Sequence, residues 1–185
     1  MIYICTHKTP AYTLDCPYVV IDNNKSSLPI TYRHLRGMLQ ILKGTIPDEV
    51  GIFQQRKRLE ATTIPEGYDI VVPNNFCVCQ MRSQYGSCHH IEDLDLVEKL
   101  IDEKEFSEYI RIPNNKECWW HNIFICKKDF FIQYCNFLFT VLNEYYNING
   151  VRDICFLAER IGSYFIWKNI PKDKIYVSKT ITYAR

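Results

Sequence analysis

The stretch IYICTHKTP, residues 2–10, sets the reading of the fold. Four residues of apolar, β-favouring character (2–5) run directly into Thr6, His7, Lys8, Thr9 and Pro10. A short continuous apolar run closed by a polar loop is the pattern of a strand buried on both faces. Further strands are read at residues 18–21, closed by Asp22-Asn23-Asn24, at 50–53, at 68–72, stopped by Pro73, and at 119–126. Residues 175–183 read as a closing strand or arm.

Helical spacing separates these strands. Leu35, Met38, Leu39 and Leu42 predict a helix over 30–43, ended by Gly44. Leu94, Val97, Leu100 and Ile101 predict one over 93–103. Phe131, Tyr134, Leu138, Val141, Leu142 and Tyr145 mark a strong helix over 127–146, and residues 153–167 a further one. Residues 74–90 carry neither period and read as a long loop. Strands alternating with helices in one compact length predict an α/β fold, one domain over residues 1–185. In such sheets ligands bind at the carboxyl ends of strands. That singles out the loop at 6–8, the segment 54–56 and the loop after Pro73.

The bulk numbers exclude several classes. The chain has 185 residues, of which 47% are apolar, so it buries a real core. Twenty-two basic against 21 acidic residues leave no electrostatic footprint for nucleic acid. No run approaches the ~18 apolar residues of a membrane span, and the start lacks the apolar core of a signal peptide. The nine cysteines are odd in number and contain no C-x-x-C pair. That argues against a zinc ribbon and for a reducing, cytoplasmic compartment.

The segment SCHHIEDLDL, residues 87–96, contains an Asp-x-Asp. Two residues apart on a helix means about 200° around the axis, so Asp93 and Asp95 would not grip one metal. Acids in a first turn favour the helix dipole instead. His89 and His90 stand where a loop meets a helix N-terminus, a place suited to anions. With Asp93 they form an alternative constellation, that of a hydrolase or metal enzyme.

The ordered set of segments resembles a known family. YDIVVP, a loop with Tyr85, HHIEDLDLVEKLI, WWHNIFICKKDFFIQYCNFLFTVL and FLAERIGSYFIWKN follow one another from residue 68 to 169. Earlier, IYICTHK, QILKG and GIFQQRKRL match more loosely. Together they resemble the glycosyltransferase family catalogued as domain of unknown function 4422, associated with capsular, exopolysaccharide and lipopolysaccharide synthesis. The resemblance implies a single GT-A-type, Rossmann-like domain with a mixed central sheet and flanking helices. Residues of about 1–72 would hold the nucleotide and about 73–185 the donor sugar and acceptor.

The implied activity is transfer of a sugar from a nucleoside-diphosphate sugar, a UDP-sugar foremost, to a glycan or lipid-linked glycan acceptor. Peripheral association with a membrane is compatible with it, and manganese or magnesium dependence stays open. On this resemblance Thr6, His7, Lys8, Asp22, Arg56, His89, His121 and Asn122 are candidates for holding the donor. Asp93, Glu159 and His90 are candidates for catalysis. Arg56, helped by Arg58 or by His7 and Lys8, would do part of a metal's work on the diphosphate. Trp119, Trp120, Tyr85 and Trp167 are available to stack on sugars. The chain departs from the family where Gln54 and Gln55 replace a histidine and a tyrosine, and it is shorter at 22–30 and 60–68. These departures motivate an alternative: a catalytically inactive nucleotide- or glycan-binding module of the same fold.

Overall fold

The computed structural model describes residues 1–25, 28–29, 32–74, 79–119, 121–150 and 152–184. Eight strands form one mixed sheet: β1 (Ile2–Thr6), β2 (Tyr18–Asp22), β3 (Glu49–Gln54), β4 (Lys57–Leu59), β5 (Ile70–Pro73), β6 (Phe124–Lys127), β7 (Ile175–Ser178) and β8 (Thr180–Thr182). The main order is β2-β1-β3-β6-β5-β7. β1 pairs in parallel with β2 and β3, and β5 in parallel with β7. β6 lies between β3 and β5 and runs antiparallel to both. Its amino end therefore lies at the carboxyl ends of its neighbours. β4 and β8 form a small antiparallel extension beside β3.

Alternation along the strands divides the core. Val50, Ile52, Ile70, Val72, Phe124 and Cys126 face one side, where they meet the helices. These are α1 (Leu35–Leu42), α2 (Met81–Cys88), α3 (Ile91–Ile101), α4 (Lys104–Tyr109), α5 (Lys128–Asn149) and α6 (Ile154–Asn169). Ile2, Ile4, Phe53, Val71 and Ile125 face the other side, against Tyr12, Leu59 and Ile123. Among the described residues none of that second cluster's members lies in a helix. No described helix is long and apolar enough to cross a membrane.

Three expectations need correction. Within residues 74–90, read as a loop, Met81–Cys88 is helical. Only Met81 and Tyr85 are buried there, one turn apart, too few for a visible period. Residues 75–78 of that stretch lie outside the described residues. The strand read at 119–126 begins only at Phe124. Before it His121 and Asn122 both take left-handed backbone, with φ of 80° and 47°. Finally, the helix read over 30–43 starts at Leu35; residues 30 and 31 lie outside the described residues. The short helix α4 was not anticipated, being too brief to show a stripe.

The turn between β3 and β4 is clamped from two sides. The Tyr12 hydroxyl donates to the Gln54 carbonyl at 2.7 Å, and the Ala11 N–H to the Gln55 carbonyl at 3.0 Å. From the other side the Tyr183 N–H donates to the Arg56 carbonyl at 2.9 Å, while the Tyr183 ring stacks on Tyr12 at 4.9 Å. The C-terminal arm thus fixes a loop more than a hundred residues away.

In the middle of β3, a Cβ on Gly51 would fall 2.2 Å from Ile2 Cδ1. Overpacking of this kind costs about 1–3 kcal/mol. Gly51→Ala should lower stability in urea by that order. Adding Ile2→Val, which removes the clashing methyl, should recover part of the loss, so the double mutant should be less unstable than the two singles summed.

Candidate functional site

A cavity of 520 Å³ opens at the carboxyl ends of β1 and β3. From the end of β1 it receives Cys5, His7 and Lys8; from the end of β2, Asn23. The turn ahead of α1 supplies Arg33 and His34, and the β3–β4 turn supplies Gln54, Gln55, Arg56 and Lys57. Four of these side chains are cationic and none is a carboxylate. Low-dielectric walls of one sign concentrate the opposite charge, so the cavity favours an anion.

Behind Lys57 lies a buried polar network. Lys57 Nζ stands 3.1 Å from His121 Nδ1 and 3.0 Å from His121 Nε2. The same ring nitrogen, His121 Nδ1, is 3.8 Å from Glu159 Oε1. The other oxygen of Glu159 accepts from Arg160 Nη1 at 3.1 Å. Next to His121, Asn122 Nδ2 meets His34 Nε2 at 3.2 Å, and Asn122 Oδ1 accepts from the Tyr134 hydroxyl at 3.0 Å. The left-handed backbone at 121–122 turns both side chains into this network. Gln54 Nε2 donates to the His121 carbonyl and pins the turn to β3. Arg33, with φ of 45°, is a third left-handed residue at the cavity. Such a conformation costs roughly 1–2 kcal/mol in a residue other than glycine, and strain of this kind gathers at functional sites.

The electrostatics follow from burial. Burial lowers the His34 imidazole to about 4; Glu159 works against that shift, and Arg33, His121 and Lys57 reinforce it. Burial also lowers the Lys57 ammonium, with Glu159 in opposition. For Glu159 burial pushes upward, but the His121 ring and the charges of Arg160, His121 and His34 outweigh it and hold the carboxyl below its ordinary value. Glu159 is therefore a carboxylate at neutral pH.

The structure brings some sequence candidates together and separates others. His7, Lys8 and Arg56 line the cavity. His121, Asn122 and Glu159 adjoin it through Lys57 and His34. Thr6 is buried, and its Oγ1 accepts from the Lys8 N–H at 3.1 Å, which shapes the loop. Asp22 accepts from the Asn24 N–H at 2.9 Å beside Asn23. Asp93, His89 and His90 are not among the lining residues. Asp93 is fully buried, held by Arg152 Nε at 2.9 Å and Nη2 at 2.6 Å and by Asn149. His89 packs on Phe156 at 4.1 Å and pairs with Asp153 at 3.5 Å. His90 is exposed at the start of α3. Of the aromatic candidates, Tyr85 and Trp119 are buried and Trp167 packs on Tyr109; Trp120 lies outside the described residues.

Sequence reading missed Asn23, Arg33, His34 and Tyr134 as site residues. His34 had one signal, a titratable side chain at the head of an apolar helical stripe. Tyr134 had none, because it reads as one more member of the α5 stripe.

The donor set does not suit a divalent metal. Hard cations take carboxylate and carbonyl oxygens, whereas this cavity is walled by ammonium and guanidinium groups. Among the described residues no group of three or more His, Cys, Asp or Glu converges. Asp95, the second acid of the Asp-x-Asp, pairs with Arg82.

The family model described as domain of unknown function (DUF4422) matches residues 5–169. No curated protein matches the sequence. Among solved structures, the apo structure of the bifunctional glycosyltransferase WbbM superposes at a TM-score of 0.79 with 17% identity. The match covers 100% of this chain and 45% of that one, so this chain spans less than half its length. At such identity the likeness is one of fold.

Two outcomes test the network. A Cβ on Gly162 would fall 2.0 Å from the Tyr134 hydroxyl and 3.1 Å from Asn122 Oδ1. Gly162→Ala should therefore cost about 1–3 kcal/mol in urea unfolding. His34 binds its proton less readily folded than unfolded, so the unfolded state holds more protons between pH 6.5 and about 4. Its contribution is whole above pH 6.5 and is lost as pH falls through that window. Thermal melts across pH 4–7 should show the decline, and His34→Gln should flatten it.

Proposed function

The chain belongs to the family described as domain of unknown function DUF4422, and from that premise we propose that it is a glycosyltransferase. It moves a sugar from a nucleoside-diphosphate sugar, a UDP-sugar foremost, to a glycan acceptor in surface polysaccharide synthesis. The observation that carries this reading is the cavity at the carboxyl ends of β1 and β3, lined by Lys8, Arg33, Arg56 and Lys57 and backed by His121 and Glu159. The fold shared with one glycosyltransferase structure supports it.

Sugar transfer requires that the leaving diphosphate be stabilised and the acceptor hydroxyl lose its proton. Arg56 can fork onto phosphate oxygens, and Lys8 and Lys57 add point charges. These groups do the electrostatic work that a metal does elsewhere. Glu159 and His121 form the proton-handling pair beside them. Asp93 has no such part in this reading, because its carboxylate is committed to Arg152. The same reading puts the reaction in the cytoplasm, with a glycan or lipid-linked glycan as acceptor.

A thermal-shift panel of nucleoside diphosphates and nucleotide sugars, with and without manganese, tests the proposal. A ligand at 100 times its dissociation constant adds about 2.7 kcal/mol. One nucleotide series should stabilise the protein, and manganese should add nothing. Arg56→Ala should weaken that ligand about tenfold, the scale of one charged hydrogen bond. Stabilisation only with manganese would refute the role given to the cations. Nucleotide binding without any turnover or slow donor hydrolysis would favour an inactive binding module of the same fold.

A further inference from the structure

The Tyr134 hydroxyl is buried, and among the described residues Asn122 is its one hydrogen-bond partner. That fixes which way the Asn122 amide faces. With Oδ1 toward Tyr134, the hydroxyl donates to it at 3.0 Å, and Nδ2 donates to His34 Nε2 at 3.2 Å. Turned over, the amide would donate to the hydroxyl oxygen, and the buried O–H would be left without an acceptor, which burial makes costly. A ring nitrogen that accepts from an amide carries no proton, so a neutral His34 carries its proton on Nδ1. The ring is neutral at pH 7. Burial first, then Arg33 beside it, His121 ahead of β6 and Lys57 on β4, lower its pKa to about 4 against the pull of Glu159 on α6.

His34 Nδ1 has no hydrogen-bond partner among the described residues, and it is not one of the side-chain atoms sealed away without one. His34 lines the cavity, so that N–H opens onto it. Asn23 lies beside it: a Cβ on Gly37, one turn on from His34, would fall 2.9 Å from Asn23 Oδ1. Asn23 also lines the cavity, is 3% exposed, and leaves Oδ1 sealed without a partner. Its Nδ2 is not sealed in this way, and a half-turn of the amide exchanges the two ends. Two uncharged polar groups therefore share one part of a cavity whose other polar walls are mostly cationic.

We infer that His34 is a ligand-contacting residue, held by Tyr134 and Asn122 as a neutral Nδ1–H donor to an uncharged oxygen of the nucleotide sugar. That oxygen is a sugar hydroxyl or a carbonyl of the base, either of which also brings the O–H or neighbouring N–H that the Asn23 amide lacks. The phosphates go instead to Lys8, Arg33, Arg56 and Lys57, because ionised phosphate offers acceptors alone and gains more from charged donors. This rests on the proposed nucleotide-sugar reading of the same cavity. Tyr134 and Asn122 are positioning residues: neither lines the cavity, and both act through the His34 ring.

Nitrogen-15 spectra of the full chain with labelled histidine, without ligand at pH 7, test the tautomer directly, the His34 signals being those missing from His34→Gln. Nδ1 should be the protonated nitrogen and Nε2 the bare one. Tyr134→Phe leaves the amide free to turn over, so the single tautomer should become a mixture, which a merely structural role would not produce. Calorimetry with inorganic pyrophosphate, uridine diphosphate and UDP-glucose then tests the contact. His34→Phe should bind a uridine compound about three- to tenfold more weakly, the scale of one neutral hydrogen bond, and pyrophosphate unchanged. A loss already present with uridine diphosphate places the contact on the nucleoside; a loss confined to UDP-glucose places it on the sugar. A proton on Nε2 in the wild type, a pure Nδ1–H tautomer in Tyr134→Phe, equal weakening of all three probes, or affinities unmoved by His34→Phe overturns the inference while nucleotide binding stands. Binding of none of the probes overturns the nucleotide-sugar reading and the contact with it, whichever tautomer the spectra show.

Discussion

Strand β6 runs against both of its neighbours, and the site depends on that reversal. In an all-parallel sheet the residues ahead of a strand lie at the far edge from the ligand. Here β6 pairs antiparallel with β3 and β5, so the residues ahead of Phe124 arrive at the carboxyl ends of β1 and β3. His121 and Asn122 are those residues. Their left-handed backbone folds the chain tightly enough that both side chains enter the interior before the strand begins.

What surrounds them is a polar interior that is nearly all internally partnered. Asn122 spends one end on His34 and the other on Tyr134, and α6 allows the Tyr134 hydroxyl in by carrying glycine at position 162. Buried polar groups are costly unless paired. A network in which a loop, a strand turn and two helices each supply a partner therefore fixes all four relative to one another. The clamp on the β3–β4 turn by Tyr12 and Tyr183 does the same for the cationic side of the cavity.

Charge is sorted as strictly as polarity. The two aspartates of the HHIEDLDL segment are drawn away from the cavity: Asp93 to Arg152, Asp95 to Arg82. The cations of three separate loops converge on it. Near neutrality in the whole chain thus conceals a strongly one-signed cavity, with Glu159 the carboxylate kept behind it.

The sequence alone determined the α/β class, five of the strands, the long helices and the positions of the loops that end β1 and β3, because each rests on local periodicity and short-range punctuation. His7, Lys8 and Arg56 were legible as cavity residues for the same reason: they follow buried strands. Where Asp93 points was not legible, since a first-turn acid looks the same whether it caps a helix or is sealed under an arginine 59 residues on. His34, Tyr134 and the Lys57–His121–Glu159 row were decided only by the tertiary structure. Their meaning lies in contacts across 12 to 88 positions of chain, and no local pattern encodes a distance between residues that far apart.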